Sequence, residues 1–405
     1  MAHLFPFRAL RPTPPSAAAV AAVPYDVVNA EEAQALAAGN PLSFLHVSRA
    51  EIDLPPDTNP YADTVYAKAV ENFAALRQAA PLEVEAEPSV YVYKLQMGAH
   101  VQTGIAACFS VDEYDTDVIK KHERTRRDKE DDRTRHIKEL RAQTGPVFLT
   151  YKATPSVDQV VEAVQARPAL FDLTAVDGVR HTLWRATSAE TAALQAAFGA
   201  IPALYIADGH HRAASAARVR QQLQEAGEAP GERDRFLAVA FPDNQMQVLP
   251  YNRVIKDLGT HSSESFLSAL RKVVAVSEGP ATPARKGEVS MYLAGKWYTL
   301  GLGEAPASLG AASRLDVSRL QDLVLTPLLG IGDVRSDKRI DFVGGARGTA
   351  ELEKLVDTGK HIVAFSMFPV SVDDLMVISD AGGIMPPKST WFEPKLRDGL
   401  LSHLI

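Results

Sequence analysis

The segment DGHHR, Asp208 to Arg212, constrains the fold of this chain more than any other feature. It separates an apolar stretch, Ala203 to Ala207, from an alanine-rich stretch with helical character, which predicts a strand that enters a helix through a glycine turn. The first turn of a helix leaves backbone N–H groups free and carries the positive end of the helix dipole. The segment therefore predicts an α/β unit with a candidate anion site at the turn.

Two interpretations of this segment remain open. Asp208 is well suited to cap the free N–H groups of the helix, which is a purely structural role. Capping does not account for His210 and His211, which together with Gly209 and Arg212 favour a phosphate or metal site. A metal-dependent hydrolase that uses His210 and His211 is a minor alternative.

Composition limits the classes of function. The 405 residues are 46% hydrophobic and 23% charged, which is typical of a globular protein with two or three domains. A net charge of -7 favours neither nucleic acid nor anionic membrane as a partner. Cys108 is the single cysteine, so an internal disulfide and a zinc site built on several thiolates are excluded, and a cytoplasmic location is expected. We do not expect the N-terminal stretch to act as an export signal, and no apolar stretch approaches the roughly 20 residues needed to span a bilayer.

Alternating patterns predict an α/β (α+β) fold. The predicted strands up to residue 245 are Val90–Leu95, Thr103–Ser110, Val147–Tyr151, Thr182–Arg185, Ala203–Ala207 and Phe236–Phe241. After Pro250 a second set of elements begins. It includes strands at 289–294, 297–302 and 361–368, and helices near 262–274, 317–329, 349–357 and 372–379.

The stretch from Lys120 to Arg141 is a second signal, because ten basic and six acidic residues crowd together there. Glu123 with Arg127 has the i,i+4 spacing of a helical ion pair, which favours a solvated helix face. Apolar residues are almost absent before Ile137, however, so a wide hydrophobic stripe cannot hold this helix. A local excess of positive charge also suits a nucleotide pocket, in which Glu123 would remain ionised and able to accept a proton.

A third signal lies near the C-terminus, in the loop Met385 to Thr390 (MPPKST). The Lys-Ser-Thr triplet invites a P-loop interpretation, but proline stands where that motif requires glycine, so this is not a Walker A loop. Two prolines stiffen a loop with one cation and two hydroxyls, which suits a small zwitterion or phosphate. The structural alternative is a rigid surface turn.

Three segments, in this order, resemble the archaeal free L-serine kinases of the ParB/sulfiredoxin-like fold: IKKHERT (119–125), YIADGHHRAASA (205–216) and MPPKST (385–390). The chain also resembles a bacterial and archaeal family of conserved proteins, a domain of unknown function, that carries PFRALRP, PYDVV and MPPKSTWFEPKL. Two positions depart from the kinase pattern. Lys121 replaces a proline, and 248–252 lacks a tryptophan of the substrate-side segment.

The resemblance implies a role for each matching residue. Glu123 would be the catalytic base that accepts the proton of the substrate hydroxyl, and Asp208 would be catalytic and hold Mg²⁺ or that hydroxyl. The phosphates of ATP or ADP would be bound by Gly209, His210, His211 and Arg212. The acceptor, free L-serine in those kinases, would contact Lys388, Ser389 and Thr390.

The resemblance also implies three regions. These are an N-terminal family-specific region (1–110), a ParB/sulfiredoxin-like nucleotide-binding core (111–245) and a C-terminal α/β substrate-side domain (246–405). The first functional hypothesis is a small-molecule kinase acting most plausibly on L-serine. The second is a ParB-like switch that binds or hydrolyses nucleotide to control a partner. A sulfiredoxin-like redox enzyme is excluded, because the phosphate motif has no cysteine.

Overall fold

The computed structural model describes residues 1–79 and 82–405. The strands are β1 (Leu4–Phe5), β2 (Leu10–Arg11), β3 (Glu83–Val84), β4 (Tyr91–Met97), β5 (His100–Ser110), β6 (Ile119–Lys120), β7 (Ala142–Gln143), β8 (Val147–Tyr151), β9 (Phe171–Thr174), β10 (Arg180–Arg185), β11 (Leu204–Asp208), β12 (Arg235–Pro242), β13 (Gln247–Leu249), β14 (Tyr251–Ile255), β15 (Ala275–Glu278), β16 (Glu288–Leu293), β17 (Lys296–Gly301), β18 (Ile340–Gly344), β19 (Val363–Met367), β20 (Trp391–Glu393) and β21 (His403–Leu404).

The helices alternate with these strands. They are α1 (Ala17–Val20), α2 (Ala30–Ala37), α3 (Leu45–Ser48), α4 (Asp63–Ala79), α5 (Val111–Asp115), α6 (Arg127–Leu140), α7 (Pro155–Gln165), α8 (Ser188–Phe198), α9 (His210–Glu225), α10 (Ser263–Leu270), α11 (Asp316–Leu320), α12 (Thr326–Leu329), α13 (Gly348–Asp357) and α14 (Val372–Asp380). This mixture of helices with mixed sheets confirms the predicted α/β (α+β) class.

The chain forms two compact units, one of residues 1–246 and 394–405 and the other of residues 247–393. The first unit contains a nine-stranded mixed sheet in the order β6-β11-β8-β12-β5-β4-β10-β9, with β1 paired to β5. Strands from before and after residue 110 are therefore neighbours in one sheet. The second unit contains a six-stranded antiparallel sheet in the order β15-β17-β16-β19-β14-β18.

The central strand β5 shows why the large sheet is buried on both faces. Its residues are buried almost throughout, which fits an apolar strand covered on both sides rather than one that alternates with solvent. Gly104 is required there for space, because an added Cβ would lie 2.8 Å from the carbonyl oxygen of Ala240 and from the ring of Phe241. Close packing of β5 against β12 thus makes the sheet a rigid platform for the loops at its edge.

The predicted helix near 317–329 differs from the structure. The chain there forms α11, a π-helical turn at Gln321–Leu325 and α12 in place of one continuous α-helix. Among the described residues, none of the helices has the length and apolar character that a bilayer span would need.

Candidate functional site

Two parallel strands bring distant segments of the first unit to one edge of the sheet. β6 pairs in parallel with β11, with Ile119 opposite Leu204 and Lys120 opposite Tyr205. Because parallel strands end at the same edge, the residues after β6 and those after β11 emerge side by side. Glu123 and the DGHHR segment therefore meet, although they are far apart in sequence.

The turn between β11 and α9 has the predicted geometry. Gly209 is the N-cap residue and has a φ of 93°, a left-handed conformation that favours glycine. An added Cβ at Gly209 would also lie 3.1 Å from the Arg212 guanidinium. Asp208 is not the N-cap residue, so that prediction was wrong by one position. Its Oδ1 accepts a hydrogen bond of 2.8 Å from the Gly209 N–H.

Three side chains at this edge form what we call the histidine cluster: His122, Glu123 and His210. One ligand atom from each residue lies within 4.8 Å of the others. The two histidine rings meet edge to face, with centroids 4.4 Å apart and an angle of 88° between the planes. Both histidines are buried and Glu123 is half-buried. The structure thus brings two of the predicted site residues together and adds His122.

Burial keeps both imidazoles of the histidine cluster neutral. Burial lowers the pKa of His122 to about 4. Burial also lowers the pKa of His210 well below its usual value, and the nearby His122 adds to this effect. The ring of His122 is held by a hydrogen bond to the backbone of Ile206. Its Nδ1 is buried and has no hydrogen-bond partner among the described residues. A neutral imidazole with a free nitrogen in this position can accept a proton or bind a metal ion.

His211 lies outside the histidine cluster. Its Nε2 accepts a hydrogen bond of 3.0 Å from the backbone N–H of Arg126, which joins the start of α9 to the loop before α6. Consecutive residues of a helix point to different faces, so the pair His210–His211 is divided between two environments. The metal site that the structure suggests uses His122 in place of His211.

On the other side of the turn, charged side chains form what we call the ion network: Asp26, Asp208, Arg212, Lys395 and Asp398. Lys395 Nζ lies 2.9 Å from Asp208 Oδ2. Arg212 Nη2 lies 3.7 Å from Asp26 and 3.9 Å from Asp208. Its Nη1 donates to the carbonyl of Pro146. Arg212 therefore points into the protein and not towards the first-turn N–H groups of α9.

The charges in this network shift each other's pKa values. Burial alone would raise the pKa of Asp208, but Lys395 and Arg212 outweigh it and lower the pKa. Burial likewise disfavours the Arg212 guanidinium, yet Asp26 and Asp208 raise its pKa. Burial raises the pKa of Asp398 to about 7. At neutral pH Asp208 and Arg212 are therefore charged, and Asp398 is near the midpoint of its titration.

A small cavity, partly open to solvent, lies beside the ion network. Its polar lining includes Tyr25, Ser48, Arg133, His136, Arg212 and Asp398. Three of its lining atoms, Ser48 Oγ, Arg212 Nε and Asp398 Oδ1, are buried and have no hydrogen-bond partner among the described residues. Such a lining suits ordered water or a small polar molecule.

Helix α6 is held by polar contacts, as its sequence requires. Tyr66 donates a hydrogen bond of 2.8 Å to Asp132, and Arg133 lies 4.1 Å from the ring centroid of Tyr25. His136 Nε2 lies 3.0 Å from the carbonyl of Val47. The helix begins at Arg127, so Glu123 precedes it and the predicted helical pair of Glu123 with Arg127 is wrong. Glu123 therefore lies in the loop before α6, at the sheet edge.

Lys388, Ser389 and Thr390 belong to the second unit. Lys388 adopts a φ of 59°, and its Nζ lies 5.4 Å from the ring centroid of Tyr251. Its carbonyl accepts a hydrogen bond of 3.0 Å from Arg253. Ser389 is buried and donates a hydrogen bond of 2.6 Å to the carbonyl of Pro386. The loop is thus an ordered one, and its role in acceptor binding stays a prediction.

The donor sets at the sheet edge differ in the metals they suit. Asp208, the predicted Mg²⁺ ligand, accepts one hydrogen bond from Gly209 and one from Lys395, on different carboxylate oxygens, and its role in Mg²⁺ binding stays a prediction. The histidine cluster offers two imidazoles and a carboxylate, a set that suits transition metals better than Mg²⁺.

Several contributors were missed at the sequence level. His122 immediately precedes the candidate base, and a histidine beside a candidate glutamate directly after an apolar strand was an available signal. Asp26 lies in PYDVV and Lys395 in FEPKL, both of which resemble family motifs. No local pattern indicated that Asp398 would contribute to the same region.

The solved structures that are similar to this chain include the following three. A free serine kinase in complex with AMP has a TM-score of 0.37 and 14% identity, covering 73% of this chain and 91% of that chain. A conserved hypothetical protein from Pyrococcus furiosus has a TM-score of 0.36 and 14% identity, with 74% and 95% covered. SbnI with a C-terminal truncation, from Staphylococcus aureus, has a TM-score of 0.39 and 12% identity, with 74% and 87% covered.

TM-scores and identities this low establish neither a shared fold nor a shared ligand. No curated protein matches the chain. A family model does match, over residues 4–318, which is most of the chain. The chain therefore belongs to the family described as "Protein of unknown function (DUF1015)".

Proposed function

We propose that this protein is a small-molecule kinase that transfers a phosphoryl group from ATP or ADP to a hydroxyl, with free L-serine as the first acceptor to test. The observation that carries the proposal is the position of Glu123. Its carboxylate lies within 4.8 Å of a ligand atom of His210, the first residue of α9. A proton acceptor and an anion-binding helix terminus thus occupy the same sheet edge.

The helix terminus supplies the phosphate site in this proposal. Because the N-cap residue is glycine, it has no side chain to cap the N–H groups of the first turn. These N–H groups and the dipole of the 16-residue helix α9 favour a phosphate. Arg212 is turned inward and the Gly209 N–H donates to Asp208, so we assign phosphate binding to the backbone N–H groups of His210 and His211 and to the side chains of these two residues.

The reaction requires one base and an in-line arrangement. The acceptor hydroxyl gives its proton to Glu123, its oxygen forms a bond to the terminal phosphorus, and the bond from that phosphorus to the bridging oxygen of the nucleotide breaks. A positioned carboxylate contributes about 10²–10⁴-fold in rate to such a step. Lys388, Ser389 and Thr390 are proposed to bind the acceptor, in line with the motif resemblance.

The decisive experiment combines turnover with nucleotide binding. Purified protein is incubated with Mg²⁺, L-serine and either ATP or ADP, and O-phosphoserine is measured by mass spectrometry. Glu123→Gln should lower kcat by about 10²-fold or more and leave the calorimetric nucleotide affinity nearly unchanged, because the base acts in the transition state.

Glu139→Gln is the matched control, since Glu139 is an exposed carboxylate on α6 and should have parental kcat. A Glu123→Gln variant that turns over at the parental rate contradicts the assigned base. Tight nucleotide binding without transfer to any hydroxyl-bearing metabolite would favour a nucleotide switch instead.

A further inference from the structure

The histidine cluster has a property that the kinase proposal does not use. We propose that His122, Glu123 and His210 form a binding site for a divalent transition metal ion such as Zn²⁺. Two imidazole nitrogens and one carboxylate oxygen match the donors that such ions prefer, whereas Mg²⁺ prefers oxygen ligands alone. The resemblance to serine kinases implied a different site, with Mg²⁺ at Asp208.

The spacing of the donors allows a shared ion. Ligands about 2.1 Å from one metal ion lie roughly 3.4 Å apart in a tetrahedral site. The three donor atoms lie within 4.8 Å of one another. Side-chain rotations that move each donor atom by about 1 Å bring them to the tetrahedral spacing. The backbone already fixes the three Cα positions, because β6 and β11 end side by side and α9 begins at His210.

His122 provides an independent observation. This residue is 2% exposed, and its Nδ1 has no hydrogen-bond partner among the described residues. Buried polar atoms nearly always have a partner, so an unpaired ring nitrogen beside two further donors points to a ligand. The hydrogen bond from the ring of His122 to the backbone of Ile206 is the contact that orients metal-binding histidines and fixes their tautomer.

Two cations beside the DGHHR turn are already paired. Lys395 lies next to Asp208, and Arg212 lies next to Asp26. Asp208 adds a negative charge that acts on both His122 and His210. This negative charge favours a divalent ion between the imidazoles.

This proposal does not rest on the kinase activity, and the two predict separate results. A metal ion bound to Glu123 occupies the carboxylate that the kinase would use as its base. Zn²⁺ should therefore inhibit phosphoryl transfer, if transfer occurs, while the metal site itself is measured without any substrate.

The test uses Co²⁺ as a spectroscopic probe on the full chain. Titration of the metal-free protein should show visible absorption bands that saturate at one Co²⁺ per chain. Zn²⁺ should displace the Co²⁺, and millimolar Mg²⁺ should not. His122→Ala should weaken Co²⁺ binding by at least about 100-fold, because even residues that only hydrogen-bond to a metal ligand change metal affinity by about 10- to 100-fold.

His261→Ala is the control, because His261 belongs to the second unit and lies outside the histidine cluster, and this variant should bind Co²⁺ with parental affinity. His122→Gln replaces His122→Ala if the alanine variant is not folded by circular dichroism. The proposal is overturned if the folded protein binds no Co²⁺ saturably, if Mg²⁺ displaces it, or if Asp208→Asn abolishes binding while His122→Ala does not.

Discussion

The histidine cluster and the ion network lie on two sides of one turn, and burial has opposite consequences in them. In the histidine cluster, burial removes charge from two imidazoles, and the Nδ1 of His122 has no hydrogen-bond partner within residues 1–79 and 82–405. In the ion network, Lys395 and Arg212 keep Asp208 ionised in spite of burial. A five-residue motif thus places its first histidine in the histidine cluster and its aspartate and arginine in the ion network.

This comparison teaches that a motif's residue types do not fix their roles. Asp208 and Arg212 looked like binding residues because they flank a helix terminus. Their surroundings also suit a role in stability, because each is paired and Arg212 is buried, and their roles in binding stay predictions. The comparison makes predictions that separate binding from stability.

The largest effect is expected for Arg212→Met. Removing the guanidinium leaves Asp26, Asp208 and Asp398 without their shared cation, so the free energy of unfolding should fall by about 3–5 kcal/mol in the absence of nucleotide. Urea denaturation followed by circular dichroism measures this. Arg126→Met removes an exposed ion pair and should cost about 1 kcal/mol or less. Unchanged stability together with lost nucleotide affinity would move Arg212 into the binding site.

The next effect is a pH-dependent gain in stability for Asp398→Asn. Burial raises the pKa of Asp398 to about 7 in the folded state, whereas an unfolded aspartate titrates near 3.9. Between these pH values the unfolded chain releases the proton first, so the wild-type protein loses stability as pH rises. The asparagine variant avoids this loss.

Asp398→Asn should therefore match the wild type near pH 4 and exceed its free energy of unfolding by about 2–4 kcal/mol at pH 8. Unfolding curves at several pH values give the difference directly. A variant less stable than the wild type at pH 8 would show that Arg212 needs the Asp398 charge.

The smallest effect is expected for Lys395→Met. Lys395 holds the pKa of Asp208 low, so the pair contributes stability above the unfolded pKa near 3.9, and that contribution is lost as pH falls below it. Because Asp208 is partly exposed, the expected loss at pH 7 is about 1–2 kcal/mol. The difference between the variant and the wild type should shrink steadily as pH falls below 3.9, and a difference that does not depend on pH would come from packing instead.

Much of the fold could be predicted from the sequence because its strands are apolar runs with clear ends. β8 and β11 were placed within one residue, and the glycine turn of Gly209 followed from the residue's conformational freedom. The break in the helix at 321–325 could not be predicted, since local propensity continues through it.

Part of the candidate site could also be predicted from the sequence, but for a different reason. Glu123 was expected near the DGHHR segment because an isolated carboxylate in a basic stretch is useful beside a ligand, and the structure brings it next to His210. The parallel pairing of β6 with β11 that brings them together is a long-range contact without a local pattern. Arg212 is turned inward because it interacts with Asp26 and Asp398. Both residues are distant from the DGHHR motif in sequence, so the residues around the motif could not predict this orientation.

The return of residues 394–405 to the first unit affects how the nascent chain matures. Lys395 and its partner Asp208 are 187 positions apart, and β21 pairs with β7. During synthesis, residues 1–246 leave the ribosome before the second unit is made, so the early strands of the large sheet can assemble first. Asp208 cannot pair with the ammonium group of Lys395 until all of residues 247–393 have been translated. Ribosome-bound chains arrested before residue 395 should expose this turn to protease more than released chains do.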